Sequence, residues 1–306
     1  MLAVDVGGTK LAAGAVDVHG ALLARAQAPT DAHGDGEALF ATLAGLVDGV
    51  RVHPEVAGRE LVACGVGSGG PMTRGGEEVS PLNISAWRRF PLRRRLAEHT
   101  GLVTFVDNDA KALALGEGWV GAAAGASDFL AMVVSTGVGG GIILDGRLLD
   151  GVGGNAGHIG HVVVEPEGRP CACGSRGCLE AEASGTAIRA ITGHPAAEAG
   201  PEIVARTGRL VGRAVAGVAV LLDLPLAVIA GSVALGFGEP FFAAAQREID
   251  ERARISYAQG TQIRPGGLGD AGPLIGAGAV GWRGWRHEGH GATGPAGAAT
   301  APGAGR

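Results

Sequence analysis

Apolar residues repeat at every second position in some stretches of the chain and at every third or fourth in others, and the change of period marks out the elements. Residues 2–6, 11–17 and 21–28 read as three successive strands, with a turn at Val18-His19-Gly20 between the second and third. A helix follows over 36–52, then a strand at 61–66, a helix at 91–100, a strand at 103–106 and a helix at 109–121. The order partly restarts with strands at 129–134 and 140–145. Helix 200–222, strand 226–230, helix 239–254, strand 261–264 and helix 273–284 complete a second α/β unit. The most apolar region, 214–235, is broken by Asp223 and Pro225 and reads as a helix followed by a buried strand, not a membrane span. Residues 286–306 are rich in Gly, Ala, Thr and Pro without apolar periodicity, which predicts a disordered tail.

Two of the strand ends carry chemistry. The first strand runs through Asp5 into Gly7-Gly8-Thr9-Lys10, and a later one runs into Ser135-Thr136-Gly137-Val138-Gly139. Such turns present backbone N–H groups to an anion, and Thr9 and Lys10 add a hydroxyl and a positive charge. Two phosphate-type turns half a chain apart predict a nucleotide held between two related domains. Neither is a P-loop. The pattern Gly-x-Gly-x-x-Gly occurs at Gly65–Gly70 and Gly267–Gly272, but 57 glycines in 306 residues make such matches cheap.

Three of the four cysteines, Cys171, Cys173 and Cys178, lie close behind His161. Three thiolates and an imidazole make a closed tetrahedral set that suits zinc, and Gly174 and Gly177 let the chain reverse around one ion. A disulfide framework fits poorly, because Cys171 and Cys173 are too near in sequence to pair and Cys64 lies far upstream in an apolar run. Cys64 reads as a core residue.

Composition narrows the partners. A 46% hydrophobic chain of this length can bury a substantial core and favours two domains. A net charge of −5 gives no general drive toward nucleic acid. Functional-looking sequence begins at residue 2, so no signal peptide is expected, and clustered thiols without one predict a cytoplasmic protein with no membrane partner.

Taken together, Asp5-Val6-Gly7-Gly8-Thr9-Lys10, the Ser135–Gly141 turn and the run Cys171-x-Cys173-Gly174-x-x-Gly177-Cys178-x-Glu180 resemble the ROK family of sugar kinases and repressors. The resemblance covers about residues 1–285. It implies an α/β fold of the actin-like, ribonuclease-H-like ATPase class, with two domains around a nucleotide and sugar cleft. The expected division is 1–109, rejoined by the helix at 273–285, and 110–272 with a zinc loop at 158–180. The family's repressors carry a DNA-binding helical domain ahead of the first phosphate turn, and with one residue before Leu2 no such domain is expected here. A homodimer or homotetramer is the expected assembly.

The same resemblance assigns roles. Strand 103–106 delivers Asp107-Asn108-Asp109 to a sheet edge at a helix N-terminus, where ligands bind in α/β folds, and one of the three is expected to cap that helix. The family's general base is the Asp of Asn-Asp-Ala, which is Asp109 here, with Asn108 holding a sugar hydroxyl. Asp5 would organise Mg²⁺ through water. Thr9, Lys10, Thr136 and Gly137, with Gly7 and Gly8 in the first turn, would meet the ATP phosphates, and Gly231 would lie near adenosine, although Ala230 departs from the family's Gly-Gly there. Asn83, His161 and Glu180 are implied on the sugar side.

One departure stands out. Kinases of the family read Glu-x-Gly-His before the zinc loop, whereas this chain reads His158-Ile159-Gly160-His161. A neutral imidazole offers one donor and one acceptor, and a carboxylate offers acceptors only. The implied activity is ATP-dependent phosphorylation of a hexose, glucose at its 6-hydroxyl first. The alternatives are an N-acetylhexosamine kinase and a non-catalytic sugar-sensing relative.

Overall fold

The computed structural model describes residues 1–289. In the first lobe, β1 (Leu2–Val6) and β2 (Lys10–Val16) pair antiparallel, and β2 continues into β3 (Leu22–Pro29). Then come α1 (Gly36–Arg51), β4 (Cys64–Ser68), α2 (Leu92–Thr100) and β5 (Thr104–Asn108), with β4 and β5 joining parallel to β1. The resulting sheet has the order β3-β2-β1-β4-β5. Helix α1 starts where Asp35 accepts the Glu37 N–H and buries Leu39, Phe40, Leu43, Val47 and Val50 on one face. Each such side chain contributes about 1.5–3 kcal/mol when fully removed from water.

Helix α3 (Asp109–Val120) leads into β6 (Phe129–Val134), β7 (Val138–Leu144) and the short β8 (Arg147–Leu148). Beyond the cysteine loop come α4 (Leu179–Ala183), α5 (Gly185–Thr192), α6 (Pro201–Leu222), β9 (Leu226–Ala230), α7 (Ser232–Phe237), α8 (Glu239–Arg252), β10 (Gln262–Pro265) and α9 (Gly272–His287). This second sheet has the order β10-β9-β6-β7-β8. Numbered within its own half, the order is the same as in the first, with the same antiparallel hairpin and the same two parallel additions. The two phosphate-type turns are therefore equivalent hairpins of the two halves.

Helix α3 packs on β4 of the first sheet and on β6 and β7 of the second, and α9 packs on α3 and on β1 and β4. This pair fills the space between the sheets and fixes the cleft above it. Strand β4 begins at Cys64, three residues later than the periodicity predicts, and passes through Gly65 and Gly67. Inside β4, a side chain on Gly65 would collide with the Ala277 carbonyl of α9. Glycine is needed there for packing, although it weakens the strand signal.

The short elements β8, α4, α5 and α7 were not expected from the pattern. Residues 286 and 287, expected in the tail, end α9, where burial of Trp282 and its neighbours extends the helix. From residue 290 on, that tail lies outside the described residues. Among the described residues no helix is long and apolar enough to cross a membrane.

Candidate functional site

The first hairpin turn is held by the Gly7 N–H donating to the Lys10 carbonyl at 3.0 Å and by the Thr30 hydroxyl donating to the Gly7 carbonyl at 2.8 Å. Thr9 and Lys10 stand exposed at its tip. In the second turn the Ser135 N–H donates to the Gly137 carbonyl at 2.9 Å, and the Thr186 hydroxyl donates to the Thr136 carbonyl at 2.9 Å. Both turns thus have braced backbones and tips open to an anion.

Parallel register brings the carboxylates together. Asp5 stands opposite Gly67, which stands opposite Asp107, in one row across β1, β4 and β5. Two residues after that row, Asp109 opens α3, which is capped by Asn108 accepting the Ala110 N–H at 3.0 Å. A β-carbon on Gly67 would lie 3.7 Å from the Asp109 Cα and 3.8 Å from Asp5 Oδ1, so this glycine leaves room for both acids.

Burial, then the neighbouring Asp109 charge, pushes Asp5 up to about 7, against the pull of Lys10. Burial also raises Asp109, while the Ala110 N–H and His158 pull it back. Asp5 is half-buried, and Asp109 is exposed at the head of α3. The desolvation that raises them therefore grows as the cleft fills.

His161, Cys171, Cys173 and Cys178 offer ligand atoms that all lie within 4.8 Å of one another. The Cys171 Sγ to His161 Nδ1 and Cys173 Sγ to Cys178 Sγ separations are both 3.7 Å. A tetrahedral ion with bonds of about 2.3 Å to sulfur sets its ligands roughly 3.7 Å apart, so the four residues fit zinc as they stand. Burial and the adjacent thiols push Cys178 up to about 12, and the Ser175 N–H leads the pull of Cys173 downward. A bound dication would displace the protons these thiols share. The loop is anchored to α6 by Arg213 on Glu165 and by Arg206 on buried Glu182, which also accepts the Arg169 N–H at 2.5 Å.

Glu180, two residues beyond Cys178, accepts the Val138 N–H at 2.9 Å. The cysteine loop thereby braces the second phosphate turn, a link the sequence did not suggest. Asn83 lies over Gly8 in the first turn, in a loop clamped by the Arg88 guanidinium, which donates to the carbonyls of Pro81, Ile84 and Trp87. The His158 ring sits 6.2 Å from that of His161, at the cleft surface, where it feels the charges of Asp109 and Glu180. Burial, then His161, holds its pKa below the ordinary value, which keeps the imidazole neutral near pH 7.

Several residues of the site have no sequence signal as strong as these. A cavity of about 570 Å³ opens beside the second turn, lined by Thr136, Gly185, Arg189, Ala196, Ser232 and Phe237 among others. Gly231, at φ 100°, starts α7 at its edge. Fully buried Glu117 accepts the N–H groups of Ala122 at 2.7 Å and Gly267 at 3.1 Å, joining the two segments through which the chain crosses between lobes. Lys111 is buried against Asp107 and Asp150. The available signal for both was a charged residue on an otherwise Ala- and Leu-rich helix face.

Comparison with known proteins agrees with this geometry. The ROK family model matches residues 1–282. The N-acetylmannosamine kinase of Escherichia fergusonii is 36% identical over 252 residues, covering 78% of this chain and 84% of its own. The ROK glucokinase of Streptomyces griseus, solved with glucose and AMPPNP, superposes with a TM-score of 0.80 at 28% identity over 92% of this chain and 99% of its own. The ROK hexokinase of Thermus thermophilus gives a TM-score of 0.78 at 32% identity over 94% and 99%. The two mixed sheets are thus those of the actin-like α/β fold, and the chain belongs to the ROK family as an ATP-dependent sugar kinase.

Proposed function

We propose that this kinase phosphorylates an N-acetylhexosamine, N-acetylmannosamine in particular, at its 6-hydroxyl. The observation that carries the reading is His158, a neutral imidazole at the cleft facing the charges of Asp109 and Glu180. An acetamido oxygen is an acceptor and needs a donor, which imidazole has and an ionised carboxylate lacks. The N-acetylmannosamine kinase aligned over most of both chains supports the same sugar. Glucose is the second reading, favoured by the fold shared with the glucose-bound glucokinase.

In this mechanism Asp109 accepts the proton of the attacking hydroxyl as the γ-phosphoryl group leaves ADP, and its raised pKa makes it a better base than an ordinary carboxylate. Asn83, Asn108, His158 and Glu180 orient the sugar, with His161 holding the loop from its metal-ligand position. The backbone of Gly7, Gly8 and Gly137, with Thr9, Lys10 and Thr136, receives the phosphates. Asp5 takes the Mg²⁺ hydration shell, and the ion supplies neutralisation of phosphate charge. The adenosine lies in the cavity next to Gly231 and Ser232. His161, Cys171, Cys173 and Cys178 hold a structural Zn²⁺.

A coupled ADP-release assay with glucose, mannose, N-acetylglucosamine and N-acetylmannosamine tests the reading. A hydrogen bond from His158 to the acetamido oxygen, which glucose cannot make, is worth about 0.5–1.5 kcal/mol, so kcat/KM for N-acetylmannosamine should exceed that for glucose by roughly 2–13-fold. His158→Glu should narrow or invert the ratio. Wild-type enzyme that favours glucose, with a preference indifferent to His158→Glu, would restore the second reading.

A further inference from the structure

Lys111 has a side chain only 3% exposed, on an Ala- and Leu-rich face of α3. Its ammonium donates to Asp150 at 2.8 Å and the Gly154 carbonyl at 3.2 Å, and it forms an ion pair with Asp107 at 3.0 Å. Arg283, from α9, closes the set with 2.6 Å to Asp150 and 3.4 Å to Asp107, so two cations face two carboxylates. Asp107 is the penultimate residue of β5 in the first lobe, while Asp150 and Gly154 belong to the second-lobe loop that runs on to His158.

A buried ion cluster of this kind is weak evidence for stability, because apolar residues of the same volume often do as well or better. What an apolar residue could not do is hold a glycine-rich loop by its backbone carbonyl and its one carboxylate. Residues 151–157 include Gly151, Gly153, Gly154 and Gly157, and Val152 at their tip is 99% exposed. Nothing apolar packs that tip down. The loop's hold on α3 is therefore polar and passes through Lys111, two residues along the helix from Asp109.

We infer that Lys111 is a positioning residue for the sugar: it fixes the 150–158 loop against the head of α3, so that His158 faces Asp109 across the bound hexose. The inference rests on the proposed sugar site for its kinetic consequence, and on the ion cluster alone for its structural one. Asp150 is the loop's half of the device, and Arg283 keeps Asp107 and Asp150 compensated on the side away from Lys111.

The test compares full-length wild type, Lys111→Met, Asp150→Asn and the double variant. In Lys111→Met the sugar KM should rise about 10-fold or more while the ATP KM stays within about 2-fold, a split that general destabilisation would not produce. Amide hydrogen exchange over 151–157 should quicken by about 10-fold or more, with the α6 and α8 amides unchanged. The double variant should lose less than the sum of the two single effects, since both changes break the Lys111–Asp150 contact. A lower melting temperature with unchanged sugar KM and unchanged exchange over 151–157 overturns the inference. If Lys111→Met does not fold, Asp150→Asn decides by the same two readings. Should wild type release no ADP with any sugar, the sugar-kinase reading of the site fails by itself, and exchange over 151–157 still supports or overturns the clasp.

Discussion

Gly8 lies directly beneath Asn83: a β-carbon on Gly8 would stand 2.6 Å from that of Asn83. The first phosphate turn and the loop proposed to hold the sugar are thus in backbone-to-side-chain contact. Gly8→Ala must push the Asn83 loop away or distort the turn. Both substrates should suffer, with kcat/KM for the sugar and for ATP each reduced about 10-fold or more, measured by varying one at saturating levels of the other. A loss confined to ATP would mean that Asn83 does not touch the sugar.

Asp109→Asn keeps the shape of the side chain and removes its basicity. Turnover should fall by about 10²-fold or more, with sugar affinity by calorimetry little changed. Because burial raises the Asp109 pKa, the wild-type rate should fall with decreasing pH through a limb above the ordinary carboxylate value of 3.8, as the base takes up its proton. A variant with near wild-type kcat would remove Asp109 from the mechanism.

Asp5 carries a pH signature in stability. Its folded pKa of about 7 lies above the ordinary 3.8, so across that interval the folded state holds a proton that the unfolded chain has released. Its contribution is complete at the acid end and is lost as the pH rises toward 7. Asp5→Asn should therefore melt higher than wild type at pH 8 by about 2–5 °C and show less difference at pH 5. The same variant should lose Mg²⁺-dependent stabilisation by ATP. Equal melting differences at both pH values would show that Asp5 is ionised throughout.

The four-ligand cluster should carry one zinc per chain by elemental analysis. Cys173→Ser, or removal of the metal by a chelator, should free the loop that bears Glu180 and with it the Val138 N–H of the second phosphate turn. A loss of about 10-fold or more in sugar or nucleotide affinity is expected, within the range seen when metal support is weakened. Metal-free protein with full activity would leave the cysteines without a structural task.

Much of this was legible in the sequence because it depends on neighbours along the chain. The two Gly-rich turns, Asp109 at a strand-to-helix junction capped by Asn108, and the closely spaced His161, Cys171, Cys173 and Cys178 each need only local backbone geometry, and the structure holds each of them in the form that local geometry predicts. Long amphipathic elements such as α1 and α6 announce themselves by period. The tertiary structure alone decided the rest. Asp5 comes beside Asp109 through parallel register across Gly67, Asn83 covers Gly8, and Glu117 receives the Gly267 N–H, all between residues that are remote in sequence. The short helices α4, α5 and α7 show too few turns for a period; α5 stands on its Ser184 cap and α4 and α7 on the burial of Leu179, Ala183, Val233 and Ala234. A buried charge such as Lys111 reads in a sequence as a break in an apolar face, and only packing supplies the acceptors that satisfy its protons and give it a task.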